Sequence, residues 1–190
     1  MNFVEERIIT DGKIGEGNIL KVDSFLNHQL DIDFIEKTGR EFYNRFGNCG
    51  VNRIVTIEAS GIGIACITAQ FFNVPVIYAK KSKTLNLSGN VYSVKARSYT
   101  RQDEYEVFIS KDYLHKGDRV LIIDDFLAQG NALKALVEIM KQAGAVIAGV
   151  GIVIEKAFQL GGDYIRSLGI QVEALARISS MSVEKGIVFC

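Results

Sequence analysis

A chain of 190 residues has room for one domain, or one domain with a small appendage, and enough length to bury a core without disulfide or metal staples. With 48% hydrophobic and 23% charged residues, it has the composition of a folded chain and not of a disordered one. Its 22 basic and 22 acidic residues cancel, which removes the electrostatic case for a dedicated nucleic-acid binder.

Cys49, Cys66 and Cys190 are odd in number and lack CxxC spacing. That argues against a disulfide framework and a structural zinc site, points to a reducing cytoplasm, and leaves the thiols as buried fillers. The opening MNFVEERIIT has acids where a signal peptide needs a basic start and an apolar stretch. The apolar run ASGIGIACITAQFFNVPVIYA is interrupted by Gln70, Asn73 and Pro75 and changes period midway. Two buried elements joined by a turn explain it better than a membrane span. The expectation is a cytoplasmic protein with no membrane contact.

In chain order, the first thirty residues show no clean period. From Asp31, the spacing of Ile32, Ile35, Phe42, Tyr43 and Phe46 predicts a helix, with Gly47 as its C-cap. RIVTIEAS (53–60) predicts a strand, GIACITAQFF (63–72) a helix and VPVIYA (74–79) a strand. A basic cluster with Lys80, Lys81 and Lys83 follows. NVYSVKARSY (90–99) and DEYEVFISK (103–111) then alternate as a half-exposed antiparallel hairpin, with Thr100-Arg101-Gln102 at or near its tip. RVLIID (119–124) predicts a buried strand, GNALKALVEIMKQAGA (130–145) a helix, and VIAGVGIVIE (146–155) another buried strand. A helix near 158–168 and a strand near 171–178 complete the series. Strand-helix-strand units with all-apolar strands imply an α/β fold, a parallel sheet covered on both faces. Ligands then bind at the carboxyl ends of the strands, around the topological switch point.

Four strand ends carry candidate chemistry: Glu58 to Gly61, Ala79 to Lys81, Asp124-Asp125, and Glu155-Lys156. Asp124 and Asp125 lie several residues too early to cap the next helix, and two adjacent carboxylates suit a ligand offering hydroxyls or a bound magnesium. The loop behind them, Ala128-Gln129-Gly130-Asn131-Ala132, opens a helix whose first N–H groups can hold a phosphate. It lacks the P-loop and dinucleotide-fold patterns. Ser60-Gly61 is a second strand-to-helix turn, by itself a plain connection. Lys156 either points into the crevice or pairs with Glu155 or a neighbouring aspartate, and the sequence leaves both open. His28 and His115 lack metal-ligand spacing.

Apolar strand, two acids and a small-residue loop opening a helix resemble the signature of the type I phosphoribosyltransferases. LKVDSFLNHQ (20–29), TIEASGI (56–62), VLIIDDFLA (120–128) and AGVGIVIEKAFQ (148–159) are similar, in order, to its bacterial xanthine-using branch. The resemblance implies the type I phosphoribosyltransferase fold over residues 1–190, with a small hood from about 1–30 and the C-terminal segment, and a flexible hairpin acting as a lid. It implies transfer of the 5-phosphoribosyl group from phosphoribosyl pyrophosphate to xanthine, with Mg2+ accompanying the pyrophosphate, in a homodimer. Asp124 and Asp125 would meet the ribose hydroxyls, and Leu20, Asn27 and Lys156 the xanthine. Ala128, Gln129, Gly130, Asn131 and Ala132 would cradle the 5-phosphate, and Ser60, Gly61 and Lys81 would approach the pyrophosphate. Many members carry Thr and Ser hydroxyls in the phosphate loop. Their absence here leaves phosphate binding mainly to backbone amides. A transcriptional regulator on the same fold is the rival expectation, and the chain has no room for an added DNA-binding module.

Overall fold

The computed structural model describes residues 1–82, 89–97 and 104–190. Lys83 and the hairpin tip at Thr100-Arg101-Gln102 lie outside the described residues. The chain opens with helix α1 (Phe3–Asp11), short strands β1 (Lys13–Gly15) and β2 (Ile19–Lys21), and a single π-helical turn over Asp23–Asn27. Helix α2 (Ile32–Phe46), strand β3 (Arg53–Ile57), helix α3 (Gly61–Phe72) and strand β4 (Val76–Ser82) follow. Then come β5 (Val91–Arg97), β6 (Glu104–Ser110), β7 (Arg119–Leu127), α4 (Asn131–Ala143), β8 (Val146–Lys156), α5 (Gly161–Ser167), β9 (Val172–Ser182) and β10 (Gly186–Phe189).

One sheet of eight strands runs β10-β9-β8-β7-β3-β4-β6-β5. Its five central strands are parallel, while the β5–β6 hairpin extends one edge antiparallel and β10 the other. The expected parallel sheet is therefore the centre of a mixed one. Its apolar strands divide by alternation, because successive side chains of a strand point to opposite faces. Ile54, Leu121, Ile123 and Val153 pack with α2, α3 and the N-terminal segment, including Leu20, Phe25 and Leu26. Val55, Ile122, Val150 and Ile152 pack with α4 and α5.

Local sequence explains the helix ends. Asp31 accepts a hydrogen bond from the Phe34 amide at 3.1 Å and starts α2. Gly47 follows as C-cap, but its backbone stays right-handed and the chain continues into a 3-10 turn. Helix α1, which the mixed N-terminal pattern hid, starts with a capping box between Asn2 and Glu5. It buries only Val4 and Ile8. The cysteines correct an expectation: Cys66 and Cys190 are exposed and Cys49 half-buried. Cys66 falls between inward-facing Ala65 and Thr68 on α3, so its helical position turns it outward. No helix among the described residues is long and apolar enough to cross a membrane.

Candidate active site

The chain order of the sheet reverses between β3 and β7, the kind of switch point at which such sheets bind ligands. Sequence reasoning ended β7 at Asp124, because acids interrupt an apolar pattern. The strand in fact continues to Leu127, pairing Phe126 with Ile154 and Leu127 with Glu155 of β8. On its other side, pairing with β3 stops at Val55–Ile122. The acid pair thus lies beyond the stretch of β7 that pairs with β3, flanked by β8 on one side and by the β3–α3 turn on the other.

Asp124 and Asp125 are only 7% and 8% exposed. Asp124 Oδ1 accepts from the Asp125 amide at 3.0 Å, and Asp125 Oδ1 from the Phe126 amide at 2.9 Å. Burial pushes the Asp124 carboxyl well above the usual aspartate range, and the charge of Asp125 adds to the shift. Lys81 opposes it electrostatically. The backbone amide of Lys81 donates to Glu58 Oε1 at 2.6 Å, while the Glu58 amide donates to the Ala79 carbonyl, so the ends of β3 and β4 are tied together. The Glu58–Ala59 peptide bond is cis.

Ser60 is the N-cap residue of α3 and makes no side-chain cap. Gly61 follows because nothing larger fits: a Cβ there would run into Thr56 Oγ1 and lie 3.0 Å from Asp124 Oδ1. The start of α3 therefore rests directly on the acid. Thr56 Oγ1 is buried beside it, with no hydrogen-bond partner among the described residues.

Behind the acids, Ala128 and Gln129 lead to Gly130, whose positive φ of 76° turns the chain into α4. Gly130 supplies no side-chain cap, and α4 has no acid in its first turn. Its amide-rich end is therefore an anion-binding geometry. Gly161 N donates to the Ala128 carbonyl at 3.1 Å, so the loop is backed by the start of α5.

Lys156 ends β8 half-buried, its Nζ 5.5 Å from the centre of the Phe126 ring. Burial lowers its pKa. Between the two sequence alternatives, the ion pair fails: Glu155 is taken by Arg166 and Arg177, and among the described residues no carboxylate pairs with Lys156. Leu20 is 5% exposed and packs in the N-terminal core cluster, whereas Asn27 is exposed at the end of the π-helical turn. The structure brings together Asp124, Asp125, Ser60, Gly61, Lys81, the 128–132 loop and Lys156 around adjoining strand ends. Leu20 packs in the same cluster as Phe126, on the Lys156 side. A cavity of about 580 Å³ lies elsewhere, beside Pro75, Tyr78, Phe108 and Tyr113. It does not include the acids, so charge placement and helix ends mark the site better than volume.

Sequence reasoning missed Phe126 under Lys156 and the arginines around Glu155. An aromatic straight after the acids was the available signal for the first. The second had none, because Arg166 and Arg177 lie 11 and 22 residues away along the chain.

Residues 24–179 match the family model described as a phosphoribosyl transferase domain. The chain belongs to that family. The phosphoribosyltransferase is 52% identical over 188 residues to the xanthine phosphoribosyltransferase of Lachnoclostridium phytofermentans, covering 99% of this chain and 97% of that protein. It is 49% identical over 189 residues to the xanthine phosphoribosyltransferase of Bifidobacterium adolescentis, covering 99% and 98%. Among solved structures it resembles the adenine phosphoribosyltransferase of Giardia lamblia complexed with 9-deazaadenine. The TM-score is 0.77, with 18% identity over 93% of this chain and 98% of that one. At that identity the likeness is one of fold, and the fold is the type I phosphoribosyltransferase fold expected from the sequence.

Proposed function

We propose that this phosphoribosyltransferase acts in purine salvage, moving the 5-phosphoribosyl group from phosphoribosyl pyrophosphate to xanthine and giving xanthosine 5'-monophosphate and pyrophosphate. Near-half identity to named xanthine phosphoribosyltransferases over nearly the whole chain carries this reading. The site supplies a matching chemistry. Departure of pyrophosphate leaves positive charge on the ribose, which the paired carboxylates of Asp124 and Asp125 favour while their oxygens accept from the ribose hydroxyls. The positive charge that develops on the ribose also offsets the burial, and the added charge of Asp125, that hold the Asp124 carboxyl high. Backbone amides from Ala128 to Ala132 hold the 5-phosphate. The Ser60-Gly61 helix start and Lys81 take the pyrophosphate. Lys156 donates to the purine 6-oxo group, and Asn27 reads the 2-oxo group, with Leu20 beside it. No covalent nucleophile is needed; the site orients two substrates.

Magnesium suits this arrangement as the counterion of the pyrophosphate, since it favours oxygen ligands and retains water. The adjacent carboxylate oxygens are the hard donors such an ion accepts. Among the described residues no group of three or more His, Cys, Asp or Glu side chains could hold a metal unaided. The substrate's own oxygens would therefore supply most of its ligands, and the ion would neutralise the leaving group. The working state is proposed to be a cytoplasmic homodimer, which sedimentation at micromolar concentration tests directly.

The deciding assay is spectrophotometric: xanthine, guanine, hypoxanthine and adenine, each with magnesium and phosphoribosyl pyrophosphate. Xanthine should give the highest kcat/KM. Adenine preferred over xanthine would overturn the base assignment, and turnover of none would overturn the enzymatic one.

A further inference from the structure

At the end of β8, Glu155 and Lys156 project to opposite faces of the sheet. Lys156 lies over Phe126, on the α3 side. Glu155 is 1% exposed and faces α5. Arg166 of α5 grips it with both terminal nitrogens at 2.7 Å, and Arg177 of β9 adds a third bond at 3.0 Å. Burial alone would raise the Glu155 pKa, but the two guanidinium groups overcome it and hold the carboxyl below its usual range.

A buried ion cluster of this kind is a poor way to gain stability, because apolar residues of the same size often do as well. Its location suggests another use. A Cβ on Gly162 would run into Glu155 Oε1 and lie 2.6 Å from an Arg166 nitrogen. A Cβ on Gly161 would run into the Ala128 carbonyl and lie 2.7 Å from both the Gln129 carbonyl carbon and the Gly130 nitrogen. Two consecutive glycines therefore join the ion cluster on one side to the phosphate loop on the other, by direct backbone contact. Leu160, just before them, has φ of 59°, a left-handed conformation costly for a leucine. A strained residue persists where its surroundings over-determine it, and the Glu155–Arg166 fork fixes the helix that follows.

We infer that Glu155 is a positioning residue for the phosphate loop: with Arg166 and Arg177 it seats the Gly161-Gly162 start of α5 against Ala128 to Gly130 and so sets the anion-binding amides. The inference rests on the loop being the phosphate site of the proposed reaction. Loosening the seat should weaken phosphoribosyl pyrophosphate selectively, because the base lysine stands on the opposite face.

Glu155→Gln is the test, with KM measured for each substrate while the other saturates. The KM for phosphoribosyl pyrophosphate should rise about tenfold, a modest share of what a 1 Å misplacement can cost, with that for xanthine changing less than about threefold. Gly161→Ala should give the same split with the ion cluster intact, and the double variant should be no worse than the poorer single one. Equal rises in both KM values, or a lowered Tm with both unchanged, would overturn the inference and leave Glu155 purely structural. Should Glu155→Gln fail to fold, Arg166→Lys, which keeps the charge and loses the fork, takes its place under the same criteria. Wild-type enzyme turning over no base would instead defeat the reaction itself, a result separate from any split between variants.

Discussion

Two neighbouring strand ends hold buried acids and treat them in opposite ways. At β7, Asp124 and Asp125 sit side by side with backbone amides for partners, and the field of Lys81 offsets the burial of Asp124 only in part. At β8, Glu155 is surrounded by two guanidinium groups and all but sealed from water. One carboxyl is pushed up and the other held down, although both are buried. An acid the protein neutralises by itself belongs to its architecture. An acid it leaves under strain suits a cation from outside, and in the proposed reaction the developing charge on the ribose is such a cation.

The contrast breaks most visibly in activity. Changing both Asp124 and Asp125 to Asn should lower kcat about 100- to 1000-fold, the scale of losing transition-state charge stabilisation, with KM values less affected. Unchanged steady-state turnover with xanthine would remove the pair from the chemistry.

Next in size is the stability of the paired acid. Breaking a buried ion cluster costs about 3–5 kcal/mol, and the lower end applies to Glu155→Gln because both arginines also reach solvent. At roughly 2–4 °C per kcal/mol for a chain of this size, calorimetry should show Tm falling by about 6–12 °C. The sign with pH follows from the lowered carboxyl. The contribution of Glu155 is present above the unfolded value of about 4.3 and is lost as pH falls through the folded one. The variant should therefore differ most from wild type near neutrality and converge with it in acid.

Asp124 should behave in the reverse sense. Its folded pKa is raised, so its contribution is present below the unfolded value of about 3.9 and is lost as pH rises through the folded one. At neutral pH the buried carboxyl burdens the empty enzyme, and Asp124→Asn should raise Tm by about 2–4 °C, near 1 kcal/mol, while activity collapses. A fall in Tm would mean that the strain is relieved within the protein and that the contrast between the two strand ends is false.

How much of this the sequence disclosed depended on chain distance. The strands from 119 to 155 announced themselves because both faces are covered, so nearly every residue is apolar. The acid pair stood out against that background, and the loop beside it is contiguous in sequence. Helix α1 did not stand out, since Val4 and Ile8 are its only buried residues and its start depends on a hydrogen-bond exchange between Asn2 and Glu5. Nor did the run of β7 past Asp124, where pairing with β8 outweighs the break in pattern. The partners of Glu155 come from α5 and β9, and no local pattern records a contact made across 22 residues.

The smallest expected effect concerns the base. Asn27 stands exposed at the end of a π-helical turn, a geometry that recurs at functional sites, while Phe25 and Leu26 just before it are fully buried. The buried pair fixes the turn, and the amide projects from a rigid base without packing duties of its own. Truncating it should then leave Tm within about 1 °C, since surface changes of this kind stay within ±0.5 kcal/mol. Losing one hydrogen bond to the 2-oxo group is worth about 1 kcal/mol, so the kcat/KM ratio of xanthine to hypoxanthine should fall roughly fivefold in Asn27→Ala. An unchanged ratio would take Asn27 out of base selection and leave the distinction to Lys156 and the surroundings of Phe126.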